Sequence, residues 1–186
     1  MTIVIERPHN RLKGYPVPPC STAQIQHVAT EFRRSIGGEF QESLEMITEY
    51  LIHERYLHVM TDQEVAQKGV EGYYSPAKEC IVLSDSAYAA CLDRSNPRAL
   101  FTLAHELGHM ILGHELTLRR ESGSTGDHRI YEDSEWQANT FASELLMPEE
   151  IIRTENLSLP EQLCDRFGVS LEAAKVRLKK LGLLCT

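Results

Sequence analysis

Apolar side chains recur every three or four residues along most of this chain, and in its middle they alternate instead. Ile25, Val28, Ala29 and Phe32 form one stripe, which predicts a helix from a Ser21 or Thr22 cap to about Ile36, stopped by Gly37-Gly38. Leu44, Ile47, Leu51 and Ile52 predict a second helix over about 40–54. Tyr56-Leu57-His58-Val59-Met60 then alternates as a strand does. Gly72-Tyr73-Tyr74 and Glu79-Cys80-Ile81-Val82-Leu83 flank Ser75-Pro76-Ala77-Lys78, which reads as a hairpin turn. Helical spacing returns at Asn96-Pro97, with proline in the first turn. It continues through Leu100, Phe101, Ala104, Leu107, Gly108, Ile111 and Leu112 up to Gly113.

Residues 119–130 are rich in Arg, Gly and Ser and predict a mobile loop. A further helix starting near Tyr131 or Glu132 carries Trp136, Ala138, Phe141, Ala142, Leu145 and Leu146 and ends at Met147-Pro148. Two short helices follow, at about 160–167 and 170–181, joined by Gly168-Val169. Residues 1–20 hold four prolines and no sustained period, so they read as an extended arm. Residues 21–186, including the C-terminal helices at about 158–183, then form one α+β domain with three short strands. There is no internal repeat.

Composition narrows the class. With 186 residues, 42% apolar and 25% charged, the chain suits one soluble compact domain. A net charge of −8 argues against indiscriminate binding to nucleic acid. No apolar run is long enough to span a bilayer. Met-Thr-Ile-Val-Ile-Glu-Arg-Pro meets charge and proline too early for a signal-peptide core, so a cytoplasmic protein is expected. Five scattered cysteines (Cys20, Cys80, Cys91, Cys164, Cys185), with no C-x-x-C pair, fit reduced thiols that serve mainly as small buried hydrophobes.

The chemistry gathers at His105-Glu106-Leu107-Gly108-His109. On a helix, the two histidines stand one turn apart on one face and can take two corners of a zinc tetrahedron. Glu106 can then reach a water held by the metal, whose pKa falls from about 15.7 toward roughly 7. The alternative is a pair of ordinary polar residues on an exposed helix. Glu135 is the best candidate for a third ligand, because the small residues after it let two helices approach closely. Asn139, one turn on, can hydrogen-bond a ligating histidine. The longer three-histidine pattern needs glycine at 112 and histidine at 115, where the chain has Leu112 and Glu115. His114 falls about 140° around the helix from His109 and is expected to point elsewhere. His9, His27, His53 and His58 lack partners at ligand spacing.

Together with Glu135-x-x-Ala138-Asn139-x-Phe141-Ala142-x-x-Leu145-Leu146-Met147-Pro148, this motif resembles the ImmA/IrrE zinc metallopeptidases. The lead-in Arg98-Ala99-Leu100-Phe101-Thr102-Leu103-Ala104 is similar to theirs, as is the upstream hairpin with Gly72 and Ile81-Val82-Leu83; the likeness covers about residues 21–184. The resemblance implies a zincin-like domain in which a small twisted three-stranded sheet packs with a helical bundle carrying the H-E-x-x-H helix. It implies that His105, His109 and Glu135 bind zinc and that Glu106 is catalytic. The family's regulatory members are bacterial and phage proteases that cleave a helix-turn-helix repressor, and some relatives lie in toxin–antitoxin-like loci. The implied partner is therefore an XRE-type repressor or antitoxin encoded nearby, cut by Glu-assisted attack of zinc-bound water.

Two points stay open at this level. One more donor usually assists the oxyanion, and Tyr73, Tyr74, His128 and Tyr131 are the candidates. An extended substrate can add to a free edge of the strand at 79–83, or that strand can simply be part of the sheet. A second function class also remains. Residues 163–178 resemble a helix-turn-helix, with Lys175, Arg177, Lys179 and Lys180 adding charge, so the chain can be a DNA-binding or protein-binding regulator with an inactive metal site. Otherwise these helices complete the peptidase domain.

Overall fold

The computed structural model describes residues 14–37, 44–67, 72–93, 96–114 and 128–184. Residues 1–13 of the expected arm, Gly38, the expected helix start at 40–43, most of the expected loop (119–127) and Cys185 lie outside the described residues.

Caps set most of the element boundaries. Helix α1 (Thr22–Ser35) starts at a reciprocal Ser21–Gln24 capping box. Helix α2 (Leu44–His53) leads to strand β1 (Leu57–Met60). A second capping box, Thr61 with Glu64, opens the short helix α3 (Asp62–Ala66). Strand β2 (Gly72–Ser75), a 3₁₀ turn at Pro76–Lys78 and strand β3 (Cys80–Ser84) form the expected hairpin. Helix α4 (Asp85–Leu92) follows directly, and Asn96 caps helix α5 (Pro97–Ile111) through Ala99 N–H, with Pro97 in the first turn. After a 3₁₀ turn at Ile130–Glu132, Asp133 caps helix α6 (Ser134–Leu146). Helices α7 (Glu149–Thr154), α8 (Pro160–Phe167) and α9 (Leu171–Lys180) complete the described chain. Among the described residues no helix is long and apolar enough to cross a membrane.

The sheet order is β1-β3-β2, with β3 parallel to β1 and antiparallel to β2. All five residues of β3 are buried, as expected for a strand covered on both faces. Ile81 and Leu83 join the main core with Leu57, while Cys80 and Val82 pack with Val65 on the opposite face. Of the two readings of the strand at 79–83, a free edge for a substrate or an ordinary part of the sheet, the sheet order supports the second. Both sides of β3 carry strands, and the edge strand beside α5 is β2.

The main core gathers Leu103 and Leu107 of α5, Phe141, Ala142 and Leu145 of α6, and Leu163, Phe167, Ala174 and Leu178 of α8 and α9. Helices α5 and α6 meet very closely. A Cβ built on Gly108 would stand 3.1 Å from both Ala138 Cα and Ala138 O, and 3.2 Å from Phe141 Cδ1. Helix α9 is tied to α6 by a buried ion pair. The Arg177 guanidinium donates to both Glu144 carboxylate oxygens at 2.7 and 2.6 Å, and its Nε donates to Met147 O at 2.9 Å. Arg177 is therefore a structural cation with both side chains of the pair only 3% exposed, and is not presented to an outside phosphate.

Two stability changes follow. Gly108→Val should lower the unfolding free energy by about 1–3 kcal/mol through overpacking against Ala138. Arg177→Ala should cost about 3–5 kcal/mol, because Glu144 is left buried and unpaired. Urea denaturation of the metal-free protein checks both; wild-type midpoints would show that neither contact carries the fold.

Candidate metal centre

His105 and His109 lie four residues apart on α5, and Glu135 sits in the first turn of α6, where a carboxylate is favoured by the helix dipole. Gly108 and Ala138 each lie three residues beyond a donor, so the close crossing of the helices also brings the donors together. The two Nε2 atoms stand 3.0 Å apart. His105 Nε2 lies 3.4 Å from Glu135 Oε2, and His109 Nε2 lies 3.4 Å from Glu135 Oε1. Tetrahedral coordination with bonds of 2.0–2.1 Å places neighbouring ligand atoms about 3.3 Å apart. The three donors already hold nearly that triangle, and among the described residues they are the one group of this kind able to hold a metal ion. Two imidazoles and a carboxylate are a donor set that zinc accepts well.

The electrostatics match the geometry. The hydrogen bonds to His105 and His109 hold the Glu135 carboxyl well below the usual carboxylate range, against the opposing effect of burial. Burial alone would lower the His105 pKa, but the Glu135 hydrogen bond, the charges of Glu106 and Glu135 and a hydrogen bond with Asn139 raise it overall. Asn139 also donates from Nδ2 to the Glu135 carbonyl at 2.7 Å. Glu106 stands outside the donor triangle. Its Oε2 accepts the Tyr74 N–H of β2 at 2.6 Å, and burial pushes its carboxyl up against the lowering effects of the two imidazoles and that N–H.

The region that the sequence left unexplained lies behind His109. Gly113 adopts φ +67 and ends α5 in a Schellman turn. Its N–H donates to Met110 O at 3.2 Å, and His114 N–H donates to His109 O at 3.0 Å. The chain reverses, and the buried His114 ring returns to His109 with the Nδ1 atoms 2.9 Å apart. The expectation that His114 points elsewhere is therefore wrong, because the helical angle does not extend past the last turn. His114 Nε2 lies 2.9 Å from Gln137 Oε1, and Gln137 Nε2 donates to Pro18 O at 2.9 Å and Tyr131 O at 2.8 Å. These carbonyls decide the whole chain of donors. The Gln137 amide group must face them, so its Oε1 accepts from His114 Nε2–H. His114 Nδ1 then accepts from His109 Nδ1–H, which turns His109 Nε2 toward Glu135, where it carries either a proton donated to that carboxylate or, in the proton's place, a cation. Burial drives the His114 pKa down to about 4, consistent with a neutral ring.

The four oxyanion candidates are placed differently from one another. Tyr73 packs on the far face of the sheet, against the Val65, Cys80 and Val82 cluster. Tyr74 offers its backbone N–H to Glu106, and its ring packs on the main core. His128 Nε2 lies 3.0 Å from Asp133 Oδ2, the cap of α6. The Tyr131 hydroxyl accepts from Arg129, and its carbonyl serves Gln137 and Cys20.

Tyr15 is the residue that sequence reasoning missed. Its hydroxyl donates to His114 O at 3.2 Å. Burial first, and then the neighbouring Glu135, Tyr74 and Glu106, push the phenol up to about 12. Nothing in a proline-rich arm marks such a residue. The Gly113 stop signal, by contrast, was available to find His114.

The Peptidase_M78 family model, described as the IrrE N-terminal-like domain, matches residues 57–179, more than half of the chain. The matched span runs from β1 into α9, so it includes both helices of the donor triangle and the C-terminal pair. No curated protein matches the chain at a significant level. A mostly helical domain with a small mixed sheet, a His-His-Glu donor triangle and this match lead to one assignment: the chain belongs to the ImmA/IrrE family of metallopeptidase domains.

Proposed function

We propose that this chain is a zinc-dependent endopeptidase that makes a limited cut in a regulatory protein. The partner of choice is an XRE-type helix-turn-helix repressor or an antitoxin encoded nearby, within a bacterial or phage cytoplasm. The observation that carries the reading is the donor triangle of His105, His109 and Glu135, with Glu106 beside it but not in it. His105, His109 and Glu135 would hold the metal in a gluzincin-like arrangement. When bound, zinc supplies Lewis-acid polarisation of the scissile carbonyl and a more acidic attacking water.

The remaining chemistry falls to the chain itself. Glu106 accepts the proton of the attacking water and delivers it to the leaving amine. A carboxyl whose pKa is raised by burial suits that two-way traffic better than one held strongly acidic. The Tyr74 N–H fixes the carboxylate through Oε2 and sets it against the edge strand. Asn139 orients the His105 ring. His114 and Gln137 orient His109. An extended substrate segment runs along β2, the strand next to the zinc helix, so that its carbonyl faces Glu106. Selectivity for one regulatory protein comes from docking of the substrate's folded parts beyond that strand.

Glu106→Gln should retain one zinc per chain and lose cleavage by about 10²–10⁴-fold, the usual contribution of a general base. Co-expression with the helix-turn-helix protein of the adjacent gene, read by mass spectrometry of the cut products, tests this. Wild-type cleavage by Glu106→Gln would remove the general-base role. Glu135→Ala should weaken zinc binding beyond the roughly 10–100-fold typical of losing an outer hydrogen-bond partner. Competition with a chromophoric chelator measures it, and an unchanged affinity in a folded variant would exclude Glu135 as a ligand.

A further inference from the structure

The amino-terminal arm reaches the donor triangle by two routes. On the first, Gly14 N–H donates to Asp133 Oδ2 at 3.0 Å and Tyr15 N–H to Ser134 Oγ at 3.1 Å. Ser134 N–H returns a bond to Tyr15 O at 3.1 Å, and Val17 N–H donates to Glu132 O at 2.8 Å. The arm thus runs as a strand-like strap across the residues that lead into Glu135, bridged at Pro16 and Asp133. The fit is tight: a Cβ on Gly14 would come within 2.4 Å of Ser134 Oγ and 2.6 Å of Glu135 N. On the second route, Pro18 O accepts from Gln137 Nε2, and the chain continues through His114 to the Nδ1 of His109. The Tyr15 hydroxyl holds the carbonyl of the same His114.

We propose that the arm is a latch on the metal centre, with Gly14, Pro18, His114 and Gln137 as its positioning residues. Docking of residues 14–18 fixes the Glu135 end of α6 and the tautomer of His109, so arm docking and metal binding form one coupled equilibrium. This rests on the reading of His105, His109 and Glu135 as metal ligands. When the arm leaves, Gln137 Nε2 loses one of its two carbonyl acceptors. Its amide is then held by the Tyr131 carbonyl alone, so the orientation that makes His114 present a lone pair to His109 is less firmly fixed. Glu135 loses the strap over the residues before it. Coupling of this kind is reciprocal, so metal tightens the arm by the same factor by which the arm tightens metal. A partner that captured the arm would unload the centre without touching a ligand.

The test uses the full-length protein with zinc as the probe. Gly14→Val displaces the arm by steric conflict with Ser134 and the Glu135 backbone and changes no ligand side chain, while Gln137→Leu acts without that conflict. Gly14→Val should bind zinc about 10–100-fold more weakly in chelator competition. Gln137→Leu should do the same, and the double variant should lose less than the two losses combined, because both act through one network. In the wild type, zinc should slow hydrogen exchange at the amides of Tyr15, Val17 and Cys20. A merely structural arm would not respond to metal in this way. Zinc affinity unchanged within about twofold in Gly14→Val, or arm exchange that is equal with and without zinc, would overturn the latch. A wild type that binds no zinc would remove the metal reading, and the latch with it. If Gly14→Val does not fold, the wild-type exchange measurement decides alone.

Discussion

The approach of α5 to α6 at Gly108 and Ala138 is the constraint on which the rest of the centre depends. Metal–ligand bonds tolerate errors of about 0.2 Å, far less than the width of one methyl group. A side chain at position 108 would press on Ala138 and Phe141 and strain the crossing that brings Glu135 to His105 and His109. The apolar faces supply the force. Leu103 and Leu107 on one helix and Phe141, Ala142 and Leu145 on the other are almost wholly removed from water. The small residues set the distance at which that force comes to rest. Driving energy and positional accuracy therefore come from different side chains on the same two helices.

A second constraint acts at the end of α5. The Schellman turn brings the residue after the αL glycine back over the last turn of the helix, a contact that is usually apolar. Here the two residues are His114 and His109. A generic helix stop thus becomes a way to orient a ring nitrogen. The cost of burying so many polar atoms is offset because each one finds a partner: His109, His114 and Gln137 end on the carbonyls of Pro18 and Tyr131. The hydrogen-bond network of the candidate metal centre then extends well beyond its three donors, as far as Pro18, which the sequence places in a separate arm.

How much of this was legible follows from how local each signal is. The two histidines could be read because a spacing of four is a property of one helix. Glu135 could be read because a carboxylate followed by small residues implies a close helix neighbour. The β2–β3 hairpin announced itself through its turn residues, whereas the parallel pairing of β1 with β3 depends on how the chain crosses over and leaves no mark in alternation. The continuous apolar run of β3 was consistent with a central strand, and only the sheet order showed that it has no free edge. Helix α3 is too short for a period, although the Thr61 and Glu64 capping box does signal it. Helix α4 is apolar on several sides and shows no stripe. Tyr15 and Gln137 act through contacts across more than a hundred positions or between two packed helices, and such contacts have no local signature.

The two glutamates beside the histidines sit in contrasting environments. Both are partly buried carboxylates, yet their environments push them in opposite directions. Glu135 faces both Nε2 atoms, whose hydrogen bonds outweigh burial and keep it an anion, the state a metal ligand requires. Glu106 turns toward β2, where one backbone N–H is its partner, and burial prevails, so a proton is easier to keep. Environments that separate the pKa values of two like groups are a recognised way for a fold to assign one to binding and the other to proton transfer. In this chain the separation follows from direction and burial together. One carboxylate is carried by α6 toward the imidazoles, and the other by α5 toward the strand edge, where a substrate backbone would lie.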